Sequence, residues 1–140
     1  KLNLQGKKIE NVCCIYPCNP FLSKKNLMGA YNIFLKKNNY FVYPIVEYSH
    51  PIQRAIKLNA KNRIRFINPK NALKRTQDLA KNYHDAGQFY WATSKTWLGK
   101  KNFHSNSFGY PIKLSDCVDI DTEEDWKVAE RIYKKYNENL

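Results

Sequence analysis

Apolar residues along the chain gather in a few dense runs, separated by polar stretches rich in proline and asparagine. Residues 12–16 are a short run of strand formers ended by Pro17 and Pro20, which predicts a buried strand leading into a loop. Ser23 stands where a helix N-cap is expected. Leu27, Ala30, Tyr31, Phe34 and Leu35 follow at i, i+3, i+4, i+7 and i+8, the spacing of an amphipathic helix that stops near residues 38–39. Residues 40–48 are β-branched and aromatic and predict a second buried strand. Strand, helix and strand at this spacing predict a βαβ unit in a partly parallel sheet. Residues 88–93 and 111–114 are further strand candidates, and 118–120 a very short fifth. Thr122 with Asp125 three residues on, and acids in the first turn, predict the start of a last helix. Trp126, Ala129, Ile132, Tyr133 and Tyr136 would form its apolar face.

Residues 50–82 break this pattern. Two short alternating pieces, 55–58 and 63–67, flank residues 59–62 and predict a hairpin. Residues 53–77 carry eight basic side chains and no acid. That is polar for a core element and fits an arm reaching away from the sheet.

Composition narrows the class. A chain of 140 residues with 43% apolar content is about one domain and can bury a core, which excludes wholesale disorder. No run approaches the roughly 18 apolar residues of a membrane-spanning helix. The net charge of +12 is uneven: residues 1–82 hold 16 basic and 3 acidic side chains, residues 83–140 hold 8 and 9. Such asymmetry fits a polyanionic partner, either a nucleoside triphosphate or nucleic acid; a solvated lysine-rich face is the alternative. Cys13, Cys14, Cys18 and Cys117 form no CxxC pair, which argues against a zinc site and fits a reduced, cytoplasmic protein.

Three places can carry chemistry. Asp119 and Asp121 flank Ile120, and on an extended chain residues i and i+2 point to one side. Two carboxylates grouped at a strand end suit Mg²⁺, which takes one or two carboxylates plus substrate phosphates; turn or capping aspartates are the other reading. In the basic stretch, Arg75 stands close to Gln77, and a guanidinium is suited to bidentate contact with phosphate or carboxylate. In residues 83–91, YHDAGQFYW, a polar piece with Gly87 runs into an aromatic strand. Gly87 permits close approach of a ligand to backbone, and His84 is a candidate proton carrier or a structural histidine. No nucleophile arrangement and no Gly-rich phosphate loop stands out.

Together these segments resemble the cytidylyltransferases that activate nonulosonic, sialic-like acids. Residues 13–21 (CCIYPCNPF) look like the family's central strand and following loop, YHDAGQFYW like its sugar-acid segment, and residues 119–123 (DIDTE) like its metal motif. Residues 50–55 (HPIQRA) and YHDAGQFYW resemble the pseudaminic acid branch rather than the sialic acid branch. The resemblance implies an α/β fold of Rossmann-like nucleotidyltransferase type, with a projecting dimerisation arm at about residues 49–82. It implies CTP and a nonulosonic acid as substrates, Mg²⁺ as cofactor and a homodimer. By motif position it makes Asp119 and Asp121 the metal ligands, and Arg75 and Asp121 catalytic. Tyr16, Gln53, Arg54, Gln77, Ala86, Gly87, Gln88 and Tyr90 would lie on the substrate side.

One departure is large. The family opens with a strand and a Gly-, Arg- and Lys-containing loop for the CTP phosphates, and nothing here matches it. Lys1 would fall in the helix before the central strand. The expectation is a single incomplete domain, residues 1–140, lacking the N-terminal third and inactive alone. A sialic or legionaminic acid substrate, and a basic nucleic-acid-binding module, are the competing readings.

Overall fold

The computed structural model describes Gly6 and residues 8–37, 39–99 and 102–137. Two compact units emerge, one of residues 1–46 and 85–140 and one of residues 47–84. The helix expected around Lys1, and the Asn38 end of the next one, lie outside the described residues.

The first unit is built on a mixed sheet. The sheet's strands are β1 (Asn11–Ile15), β2 (Phe41–Glu47), β5 (Tyr83–Asp85), β6 (Phe89–Thr93) and β7 (Ser107–Pro111), of which Glu47, Tyr83 and His84 fall in the second unit. The hydrogen-bonded order is β1-β6-β2-β5, with β7 also paired to β2. β6 lies antiparallel to β1, with Cys13 opposite Trp91, and antiparallel to β2, with Val42 opposite Trp91. β7 runs parallel to β2, with Val42 opposite Phe108. The expected βαβ unit therefore exists in direction, but β6 sits between its two strands. The sheet is partly parallel, as its pattern predicted.

Helix α1 (Lys24–Lys36) starts at Ser23, whose side chain accepts from the Asn26 N–H at 3.1 Å. It buries Ala30 and Phe34 against Val42 and Phe89, and these four residues are the centre of the core. Trp91 donates its indole N–H to the Leu27 carbonyl at 3.2 Å, tying the helix to β6. Leu35, expected on the buried face, is 53% exposed. A short helix α2 (Ser94–Leu98) is capped by Thr93, and α3 (Glu123–Asn137) closes the described chain.

Two strand expectations are corrected. Residues 118–120 form no strand. The Ile120 N–H donates to the Cys18 carbonyl, not to a neighbouring strand. Residues 111–114 are not a strand either: the strand is β7, ending at Pro111, and Leu114–Asp116 is a 3₁₀ turn. Among the described residues of α3 only Ala129 is buried; Trp126 and Tyr133 are more than half exposed, so the described residues leave the apolar face largely uncovered.

The second unit holds the hairpin read from the sequence, β3 (Ile56–Leu58) and β4 (Ile64–Phe66), paired antiparallel. Ile56 faces Phe66 and Leu58 faces Ile64, while Lys57 faces Arg65. Alternation therefore gives the hairpin one apolar and one basic face.

Candidate functional site

A proline sets up the first part of the site. Pro44 accepts from the Ala86 N–H at 3.0 Å but has no N–H to return. The Ala86 carbonyl accepts instead from the Cys117 thiol at 3.6 Å. Burial, then Asp119 and Asp85, push the Cys117 thiol up, which keeps its proton in place for that bond.

At this gap between β5 and β6 the chain turns through Gly87 at φ +65°. Asp85 holds the turn: one carboxylate oxygen accepts from the Gly87 N–H at 2.9 Å, the other from the Tyr90 hydroxyl at 3.0 Å. Burial first, and the adjacent Asp85 charge second, push the Tyr90 phenol well above its ordinary range, so it remains a donor. The Tyr90 ring lies 5.1 Å from Tyr16, which is half exposed, and 5.5 Å from Tyr43. Gln88 is fully buried; its amide N–H₂ donates to the Asp116 carbonyl and its oxygen has no partner. Of the substrate-side residues expected here, Ala86, Gln88 and Tyr90 are thus buried, while Gly87 and Tyr16 reach solvent.

The second part is the loop after β1. Cys18 adopts φ +64°, and its carbonyl accepts from Ile120 N–H at 3.3 Å. That bond places the segment carrying Asp119 and Asp121. Both carboxylates are exposed. With no strand at 118–120, the pleat does not fix them on one side. Among the described residues no group of three or more His, Cys, Asp or Glu gathers to hold a metal. Carboxylate oxygens are hard donors of the kind that Mg²⁺ takes together with water and phosphate oxygens. Asp121 also lines an open depression of about 500 Å³ with Ile120, Thr122, Glu123 and Trp126. Beside it the capping pair is reciprocal. Asp125 accepts from the Thr122 N–H at 2.8 Å, and the Thr122 hydroxyl oxygen accepts from the Asp125 N–H at 3.2 Å.

Gln53, Arg54, Arg75 and Gln77 belong to the second unit. Gln53 donates to the Ala80 carbonyl at 2.8 Å, and its amide oxygen is buried without a partner. Arg54 is exposed at the end of a 3₁₀ turn, Ile52–Arg54. With the Gln77 amide turned so that its oxygen faces Arg75, the guanidinium donates to it at 2.9 and 3.0 Å. Arg75 is thereby oriented but remains exposed. Gln77 lines a cavity of about 330 Å³ with Tyr48, His50, Thr76 and Lys81. Lys81 pairs with Glu47 at 2.8 Å. His84 packs its ring 5.0 Å from Tyr48.

Sequence reasoning passed over Asn19, Asp85 and Cys117. Asp85 had a signal, an aspartate two residues before a glycine, which is an Asx-turn pattern. Cys117 had none, because its partner carbonyl is created by Pro44 on a distant strand.

No protein-family model matches the chain. It is 39% identical over 142 aligned residues, 99% of its length, to pseudaminic acid cytidylyltransferases from two strains of Campylobacter jejuni subsp. jejuni. It is 27% identical over 119 residues to a Helicobacter pylori protein named pseudaminic acid cytidylyltransferase and UDP-2,4-diacetamido-2,4,6-trideoxy-beta-L-altropyranose hydrolase. That match takes in 84% of this chain and 23% of the relative. The chain spans 60% of the length of the two Campylobacter relatives. The resemblance carried by CCIYPCNPF, YHDAGQFYW and DIDTE is thus borne out: along nearly its whole length, this chain is similar in sequence to pseudaminic acid cytidylyltransferases.

Proposed function

We propose that this chain belongs to a cytidylyltransferase that joins CTP to pseudaminic acid, releasing pyrophosphate. The observation that carries this reading is the 39% identity over 99% of the chain to two proteins so named. The mixed sheet, with its crossover helix α1 and a separate basic hairpin unit, supports a Rossmann-like nucleotidyltransferase with an arm at about residues 49–82. The basic stretch then serves a nucleotide and not nucleic acid.

In the reaction the anomeric hydroxyl oxygen of the sugar acid forms a bond to the α-phosphorus of CTP. The bond from that phosphorus to the bridging oxygen breaks, pyrophosphate leaves, and the hydroxyl proton passes to water. Mg²⁺ held by Asp119 and Asp121 would offset the charge developing on the phosphates. The chain's own work is positioning. Asp85 holds the Gly87 turn and Tyr90 in one arrangement. Tyr16, Ala86, Gly87, Gln88 and Tyr90 shape the sugar-acid side. In the second unit Arg75, oriented by Gln77, offers a guanidinium to an anionic group, with Gln53 and Arg54 nearby in sequence. The four free cysteines support a reducing, cytoplasmic setting. The exposed apolar face of the hairpin supports a homodimer.

The test is pyrophosphate release by the full-length protein with CTP and Mg²⁺, offered pseudaminic, N-acetylneuraminic and legionaminic acid in parallel. Release with pseudaminic acid alone is expected. Release with another acid keeps the reaction and overturns the assignment of specificity to Gln53 and YHDAGQFYW. Asp121→Ala should abolish turnover and leave the melting curve unchanged; full activity at ordinary Mg²⁺ would remove Asp121 from the metal site.

A further inference from the structure

Two locally costly features stand side by side in the loop after β1. Cys18 holds φ +64°, a conformation that a side-chain-bearing residue adopts at an expense. Asn19 has a buried amide oxygen with no partner. Its orientation is not free to change. The amide N–H₂ donates to the Pro17 carbonyl at 2.9 Å and to the Gly87 carbonyl at 3.2 Å. Turning the amide over would set an oxygen against two carbonyl oxygens. A buried unpaired acceptor normally disfavours the fold, so this position is arranged for what its nitrogen does.

The nitrogen latches the β1 loop to the Gly87 turn. The same loop, through the Cys18 carbonyl, holds the Ile120 N–H at 3.3 Å and with it the segment of Asp119 and Asp121. We propose that Asn19 is a positioning residue that fixes the Gly87 turn and the Asp119–Asp121 segment relative to one another. It touches neither substrate nor metal; it joins the two segments that do. Loop strain and an orphaned oxygen are tolerated because the latch needs a two-donor group at this point. The inference rests on the cytidylyltransferase reading for its kinetic consequence, and on the hydrogen bonds alone for its structural one.

The experiment compares Asn19→Asp and Asn19→Ala with wild type in the full-length protein. Asn19→Asp keeps the shape and places a carboxylate against two carbonyls; Asn19→Ala deletes the latch without adding charge. Amide hydrogen exchange at Ile120 should quicken by about tenfold in both, the scale of one or two lost hydrogen bonds. The sugar-acid KM and the Mg²⁺ level for half-maximal rate should rise together by a similar factor. Gly29→Ala, which disturbs packing away from this loop, should lower the melting temperature and move neither quantity. Unchanged exchange at Ile120 overturns the latch. Quicker exchange with wild-type KM and Mg²⁺ dependence overturns the positioning role. If wild type releases no pyrophosphate, the cytidylyltransferase reading fails, and the exchange measurement still decides whether the latch exists.

Discussion

Asp125 shows how much one partly exposed carboxylate can organise. It accepts from the Thr122 hydroxyl at 2.6 Å, the Thr122 N–H at 2.8 Å and the Asp121 N–H at 3.3 Å. The hydroxyl bond most, and the backbone bonds after it, hold its pKa below the ordinary 3.8. A carboxylate with a depressed folded-state pKa contributes stability above its unfolded value and loses it as pH falls through the folded value. The melting temperature of Asp125→Asn should therefore lie below that of wild type at neutral pH. The gap should close as pH falls from about 3.8 through the lower folded value. Thermal melts at stepped pH check this; a gap that persists in strong acid would deny the ionised cap. At this scale the capping pair was legible, because both members lie within four residues. Asn19 was not, because its partner Gly87 lies 68 positions away.

Among the elements, α1 depends on one missing methyl. A Cβ on Gly29 would run into the ring and hydroxyl of Tyr110 on β7. Tyr110 packs against the core cluster and cannot swing clear without opening it. Alanine gains up to about 1 kcal/mol of helix propensity over glycine. Overpacking at a tight contact costs about 1–3 kcal/mol. Gly29→Ala should therefore be destabilising, read as a lower denaturant midpoint at unchanged slope; a raised midpoint would show that Tyr110 gives way. Helix α1 and strands β1, β2 and β6 were legible because each carries its own periodicity. β7 was misplaced toward residues 111–114 because its centre is Gly109, which adds no strand signal. A Cβ there would strike Ile45 of β2, so that glycine records a close approach visible only once the sheet is assembled. Residues 118–120 have strand composition but no strand neighbour, and composition does not supply a neighbour.

For the whole molecule, the question is what covers the apolar faces. In the second unit Leu58, Ile64 and Ile67 are more than half exposed and Leu73 is fully so. Under the proposed dimerisation these contact a second copy. Ile64→Glu with Leu73→Asp should shift the full-length protein from dimer to monomer in sedimentation, with the far-ultraviolet spectrum unchanged. A wild-type monomer, or a variant that stays dimeric, would count against the arm as the interface.

By itself the sequence determined the places of α1, β1, β2 and β6, the hairpin, the cap at Thr122 and the likeness to nonulosonic acid cytidylyltransferases. Each rests on residues a few positions apart, where spacing alone fixes the geometry. Tertiary structure alone decided that β6 enters between β1 and β2, that Ala86, Gln88 and Tyr90 turn inward, and that the Asp119–Asp121 segment hangs from Cys18. These outcomes depend on which backbone groups find partners across the fold. Pro44, for example, withholds a hydrogen bond that Cys117, more than seventy residues later, arrives to supply.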